Sequence, residues 1–269
     1  MFPSSKVVKT TALSLLRGNW ATAAAVALIP VFFVMINVAA ASLTMLVLTS
    51  PAVEAIHTVL MLADLLLAGI PLLLGVIYYY WNLAYCDNND IKVVFCYFSS
   101  VKMYWRAIKT LAFVLVRIFA VSVICLLPSV MIDFVADGRL NDIWQNGIPL
   151  WFTNLWIIAI FLRGIGIAAI IFFTFKYYLV PFLLVVNDNI TTGEIILISK
   201  IASKKSSVGF AGLIFGLLGW ILLSFFAVPL VFTLPYMIMC YTVHSRFAIF
   251  FYNNTVNNMN SFLGKFVID

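Results

Sequence analysis

Three ionisable residues stand inside otherwise apolar stretches, and they are where chemistry is expected first: Asp64, Arg117 and Arg163. A charge at the centre of a bilayer costs roughly 2.5–3.5 kcal/mol on insertion scales, so its presence asks for a partner or a purpose. Asp64 precedes Tyr78 by 14 residues and Arg163 precedes Tyr177 by 14. On a straight helix each lies about 21 Å from an inner aromatic boundary. Arg117 follows Trp105 by 12 residues, about 18 Å by the same rise, which suggests one shared layer. One carboxylate against two guanidiniums leaves a positive charge that could take a lipid phosphate or another anion through paired hydrogen bonds. The alternative is a structural Asp64–Arg163 pair with an Arg117 that snorkels to an interface.

Other chemistries find little support. Cys86, Cys96, Cys125 and Cys240 form no CxxC pair and the only histidines are His57 and His244, so neither a metal nor a redox site is expected. Asp133, Asp137 and Asp142 flank Gly138 without calcium-loop spacing. His244 with Arg246 reads as an interfacial anchor. With no paired carboxylates and no nucleophile within helical reach of a base, neither an enzyme nor a cofactor is expected.

The elements that must position these residues are membrane spans. Apolar residues make up 64% of the 269 positions and charged ones 10%, against soluble norms of about 45–50% and about 25%. Neither Gly18–Val53 nor Val208–Val243 contains an Asp, Glu, Lys or Arg, and about 20 apolar residues suffice to cross a bilayer. The intervals Cys86–Lys109 and Asn187–Ser207 are too short for a soluble domain, and the first apolar run is too long for a cleavable signal, so it reads as a retained span. Spans are predicted near Trp20–Thr49, Val59–Tyr85, Ile108–Ile132, Leu150–Tyr178, Val208–Ala227 and Pro229–Tyr252. The last two read either as a tight hairpin, which Pro229 and Pro235 favour, or as one long helix. Kinks are expected at Pro30, Pro71 and Pro128.

With an even number of spans, thirteen lysines and arginines fall on one side and Arg139 alone on the other. Cytoplasmic loops carry such an excess, so both termini are expected in the cytoplasm of a cell (plasma) membrane protein. The net charge of +6 then reports orientation against anionic headgroups rather than nucleic-acid binding.

A threefold pattern overlies the spans, with repeat units near residues 5–86, 90–186 and 191–252. Each opens with a polar start and a basic amphipathic segment. The first runs through Val8, Ala12, Leu15 and Leu16. The second sets Val94, Phe98, Val101 and Trp105 on one stripe. The third, where Thr191 and Glu194 have capping-box spacing, continues through Ile195, Ile198 and Ile201. A shift of one hundred positions sets Asn88 and Asn89 over Asp188 and Asn189. Three interfacial helices on the inner surface follow, with Lys92, Lys102, Arg106, Lys200, Lys204 and Lys205 as candidate lipid-headgroup contacts.

Several of these residues also carry a resemblance. Leu16-Arg17-Gly18-Asn19-Trp20, Tyr177-Tyr178-Leu179-Val180-Pro181-Phe182, Gly219-Trp220-Ile221-Leu222-Leu223, Pro235-Tyr236 and Phe251-Tyr252 resemble signatures of a bacterial integral membrane family catalogued as domain of unknown function 975. Ser203-Lys204-Lys205-Ser206 and Arg246 depart from its pattern. A more distant likeness is to the membrane region attached to some glycerophosphodiester phosphodiesterases. The resemblance implies fold and location and carries no catalytic residues.

The sequence therefore reads as an all-α polytopic membrane protein of six spans and three interfacial helices. The leading expectation is a non-enzymatic organiser of membrane lipids or of other membrane proteins. The alternative is a transporter or permease with a path past Asp64, Arg117 and Arg163.

Overall fold

A computed structural model describes residues 3–47, 51–86, 90–137, 150–186 and 190–266. Asp142, Trp144, Arg139 and the asparagine-rich markers of the repeat, Asn88, Asn89, Asp188 and Asn189, lie outside them. The described residues contain ten α-helices and no strand: α1 (Ser5–Leu16), α2 (Trp20–Val47), α3 (Pro51–Asp64), α4 (Ile70–Cys86), α5 (Cys96–Ser99), α6 (Val101–Asp137), α7 (Leu150–Thr174), α8 (Val180–Val186), α9 (Thr192–Leu223) and α10 (Ala227–Phe266). A π-helical turn, Leu65–Gly69, joins α3 to α4, and a 3-10 segment, Ile91–Phe95, precedes α5. Six stretches are long and apolar enough to cross a membrane: Trp20–Thr44, Ala55–Tyr85, Val101–Phe134, Leu155–Thr174, Thr192–Leu223 and Val228–Thr255. The chain is an all-α polytopic membrane protein.

It forms two compact units, one of Met1–Leu111 with Leu179–Asp269 and one of Ala112–Tyr178. The core of the first unit gathers Val8, Ala12 and Leu16 of α1, Ala23, Val26 and Ala27 of α2, Leu72, Val76, Tyr79, Tyr80 and Leu83 of α4, Val94 of the 3-10 segment, Leu213 and Leu217 of α9, and Met239, Cys240 and Val243 of α10. Apolar sequence in this unit therefore meets two solvents. Phe32, Met35 and Ile36 of α2 and Ile56 and Leu60 of α3 face outward, as lipid requires, whereas Tyr79, Tyr80, Leu83 and Ala84 in the second half of α4 are buried in protein. Tyr79 and Tyr80, expected at the inner interface, are fully buried, and the Tyr80 hydroxyl donates to the Ala23 carbonyl at 2.9 Å.

Local chemistry sets the joints. Gly18 has φ +90°, a left-handed turn after α1 that residues with a Cβ rarely adopt. The Asn19 amide bonds the Leu16 carbonyl within that turn, so the Gly in the opening Arg-Gly-Asn-Trp step has a steric reason. Gly75 faces the Val94 backbone carbonyl so closely that a Cβ there would overlap it. The 3-10 segment thus folds back along α4 and buries Val94 against its backbone.

The three basic segments take three forms. The first is the separate helix α1, whose apolar stripe Val8, Ala12 and Leu16 packs into the protein core. The second is broken at Ser100 into the 3-10 turn, α5 and the start of α6; only Val94 of its stripe is buried, while Phe98, Val101 and Trp105 are exposed. The third is the opening of α9, which buries Ile195, Ser199, Ala202 and Ser206 and exposes Ile201. Small hydroxyl side chains let helices approach closely, so the buried face here is serine-rich rather than aliphatic.

The last apolar stretch is two helices. α9 ends at Leu223 and α10 begins at Ala227, with Trp220 against Tyr236 at 5.2 Å and Phe210 against Tyr241 at 5.8 Å between ring centroids. Pro229 is the third residue of α10, where an amide has no helical acceptor to lose. Pro235 lies within a helix that continues past it.

The second unit contains α6 from Ala112 together with α7. A Cβ at Gly166 would stand 2.8 Å from the Cys125 carbonyl, so this glycine sets the close approach of the two helices. Phe161, Ile165 and Phe172 of α7 are exposed.

Candidate functional site

The polar features of the first unit begin with a proline. Pro71 has no N–H, so the carbonyl four residues earlier, on Leu67, loses its helical donor. The backbone answers with the π-helical turn Leu65–Gly69, and the Tyr104 hydroxyl donates to the Leu67 carbonyl at 3.0 Å. In hydrocarbon an unfilled carbonyl is expensive, and a neighbouring helix repays it here. Asp64 is exposed and stands immediately before this turn, making no capping hydrogen bond to it. Gly69 within the turn rests on the Phe33 ring.

This contact alters the depth argument. Tyr104 adjoins Trp105, the inner marker for Arg117, yet it meets the π-helical turn at Leu67, 11 residues before Tyr78, the inner marker for Asp64. The two markers are therefore about 16 Å apart along one helix, and the common layer loses its shared zero.

In the second unit Arg163 pairs with Asp133 of α6, with side chains 47% and 37% exposed respectively. This is a correction to the expected Asp64–Arg163 pair: the carboxylate that meets Arg163 comes from the neighbouring helix of the same hairpin. Arg117 is half-buried, and its guanidinium lies 4.2 Å over the Phe113 ring, one turn earlier on α6. Helical side chains lean toward the N-terminus, so Arg117 is drawn along its own helix toward the basic end. Asp64 belongs to the first unit, and Arg117 and Arg163 to the second.

The six candidate headgroup residues divide in two. Lys92, Lys102, Lys200, Lys204 and Lys205 are exposed. Arg106 is half-buried and donates to the Ile190 carbonyl at 3.1 Å. It acts with the Thr110–Thr192 hydroxyl contact at 2.9 Å to tie the start of α6 to the start of α9. There Thr191 and Glu194 form the complete capping box expected from their spacing.

Arg246 is an anchor, as expected, but to protein: it donates to the Ala84 carbonyl at 2.8 Å and lies 4.3 Å over the Tyr85 ring. Ala84 is in the last turn of α4, where carbonyls lack helical donors and a cation is favoured. His244 differs from expectation. It is buried, 5.3 Å from the Phe210 ring, rather than exposed as an anchor in headgroups would be.

Sequence reasoning missed Tyr104, Asp133 as the partner of Arg163, and Lys9. Lys9 donates to the Gly216 carbonyl at 2.6 Å, where a Cβ on residue 216 would collide with the ammonium. A signal existed for Tyr104, because Pro71 announces one orphaned carbonyl and a hydroxyl must come from somewhere. None existed for Lys9, whose acceptor is 207 residues away.

No protein-family model matches the chain, and no curated protein or solved structure matches it.

Proposed function

We propose that the chain is a non-enzymatic integral membrane protein of the plasma membrane, with both termini cytoplasmic, that organises anionic lipid or a partner membrane protein through its basic inner surface. One observation carries this reading. On α9, Lys200, Lys204 and Lys205 are exposed while Ser199, Ala202, Ser203 and Ser206 between them are buried. The basic side chains thus lie on the exposed side of the helix, opposite the face that docks it. Each basic residue beside an anionic leaflet contributes about 1 kcal/mol of attraction, so a cluster of three retains lipid measurably. The resemblance to the family of unknown function points to the same class of protein.

The test is purification in mild detergent with mass spectrometry of the co-eluting lipids and proteins. Anionic phospholipid enriched over the bulk membrane, and lost in a K200Q/K204Q/K205Q variant of unchanged thermal stability, is the expected result. Bulk lipid composition in both proteins overturns the reading. A transporter is the second reading, and the observation favouring it is that exposed Asp64 abuts a π-helical turn, a feature frequent at functional sites. Water-accessible thiol labelling beside Arg117 supports that alternative.

A further inference from the structure

In the first unit α2 packs along α3 and the π-helical turn, and two contacts fix the register. The Tyr80 hydroxyl meets the Ala23 carbonyl, and Gly69 meets the Phe33 ring. Ten residues forward on α2 thus correspond to eleven back along α4 and the turn, so the two run antiparallel. Beyond the Phe33 contact, Asn37 is four residues on and Asp64 five residues back. These steps are about 6 Å and about 7 Å of helix, which sets the two side chains at one level. The same register brings Thr44 beside His57, two turns further along.

These residues belong to the face that the two helices share. On α2, Phe33, Asn37 and Thr44 are half-buried while Val34, Met35, Ile36 and Val38 between them are exposed. On α3 and the turn, His57, Met61 and Ala68 are half-buried. Asp64 lies on that stripe, three residues after Met61 and four before Ala68, and its exposure puts it at the rim. The Asn37 carboxamide is oriented, because Nδ2 donates to the Phe33 carbonyl at 3.0 Å. Its Oδ1 is left as an acceptor with no donor among the described residues. Asp64 makes no capping hydrogen bond and, among the described residues, no ion pair. A carboxylate within a span is costly and calls for a counter-charge. Tyr104 braces the turn through the Leu67 carbonyl, so Asp64 springs from a fixed backbone.

We infer that Asp64 and Asn37 form a binding site for an alkali cation between α2 and α3. Both offer oxygen, the donor that hard cations select. One carboxylate with a neutral carboxamide balances one monovalent charge and leaves a divalent ion unbalanced. Membrane transporters coordinate sodium with irregular helical backbone, and the π-helical turn after Asp64 supplies such backbone here. Thr44 and His57 continue the polar line toward the end of the pair where α2 passes into α3, a route by which a hydrated ion reaches the site. This chemistry needs neither cysteine nor histidine as a ligand, and so is distinct from the zinc and redox sites that the sequence disfavours. It stands whether or not the basic surface organises lipid.

Thermal unfolding of the full-length protein in detergent tests it, in sodium, potassium and choline chloride at equal ionic strength so that screening is the same in all three. The expected result is a midpoint about 2–4 °C higher in sodium or potassium than in choline, as binding to the folded state requires. Asp64→Asn, which keeps the shape of the side chain and removes its charge, is expected to abolish the difference, and Asn37→Leu to reduce it. Ser42→Ala, which removes an exposed hydroxyl of α2 outside the shared face, is expected to leave it intact. Equal midpoints in the three salts overturn the inference, and so does an alkali effect that survives Asp64→Asn. Should Asp64→Asn not accumulate, equilibrium binding of radioactive sodium to the Asn37→Leu and wild-type proteins replaces it. Weaker binding by the variant is then expected, and equal binding contradicts the site.

Discussion

At the scale of single residues, partner choice follows orphaned groups more closely than it follows charge. The Leu67 carbonyl, freed by Pro71, takes the Tyr104 hydroxyl. Interhelical hydrogen bonds in membrane proteins average about 0.6 kcal/mol, with a maximum of about 1.7. Tyr104→Phe is therefore expected to lower stability by about 1 kcal/mol. Pro71→Ala restores the amide that Leu67 lacks, so Tyr104→Phe should cost less in that background, and a thermal double-mutant cycle in detergent measures the difference. Equal costs in both backgrounds would mean that the carbonyl is not what Tyr104 serves. The charged trio Asp64, Arg117 and Arg163 was legible as three residues needing an explanation, but their partners were not. The depth estimate assumed that aromatic clusters mark one boundary, and Tyr79 and Tyr80 turn out to be core residues. Chain order was the better guide, because helices joined by a short connection are neighbours and α6 already carried Asp133 for Arg163.

At the scale of elements, the six spans were readable because length and hydropathy set them, except that the fifth begins at Thr192 rather than Val208, its basic opening being continuous with the apolar helix; the final hairpin followed from its prolines. The amphipathic stripes were less readable. Hydropathy cannot distinguish an apolar face that meets lipid from one that meets protein, and it overlooks a face built of serine. Hence Ser199 and Ser206 are buried on α9 while Ile201 is exposed. The 3-10 segment on α4 was also hidden, since its signal is one glycine within an apolar run. Gly75→Ala places a methyl group on the Val94 carbonyl, and backbone cannot yield as a flexible side chain can. Overpacking of this kind typically costs about 1–3 kcal/mol. Gly164→Ala, at a position with open space, is the matched control, expected to leave the thermal midpoint unchanged or slightly raised by better helix propensity. Similar midpoints for the two variants would refute the packing of Ile91–Phe95 against α4.

At the scale of the whole molecule, apolar sequence is shared between two solvents. α2, α3, α6 and α7 offer bare aliphatic and aromatic surface, as lipid-facing helices do, whereas α1, the second half of α4 and the middle of α10 form a protein core bordered by lysine and arginine. Function in this reading resides in the basic border, and border and core take their meaning from orientation. A reporter fused after Asp269, active only in the cytoplasm or only outside it, measures that orientation most directly. Cytoplasmic activity alone is the predicted result. Activity confined to the outer side would contradict the even passage of the chain, the gathering of its cations on one face and the lipid-organising surface built from them.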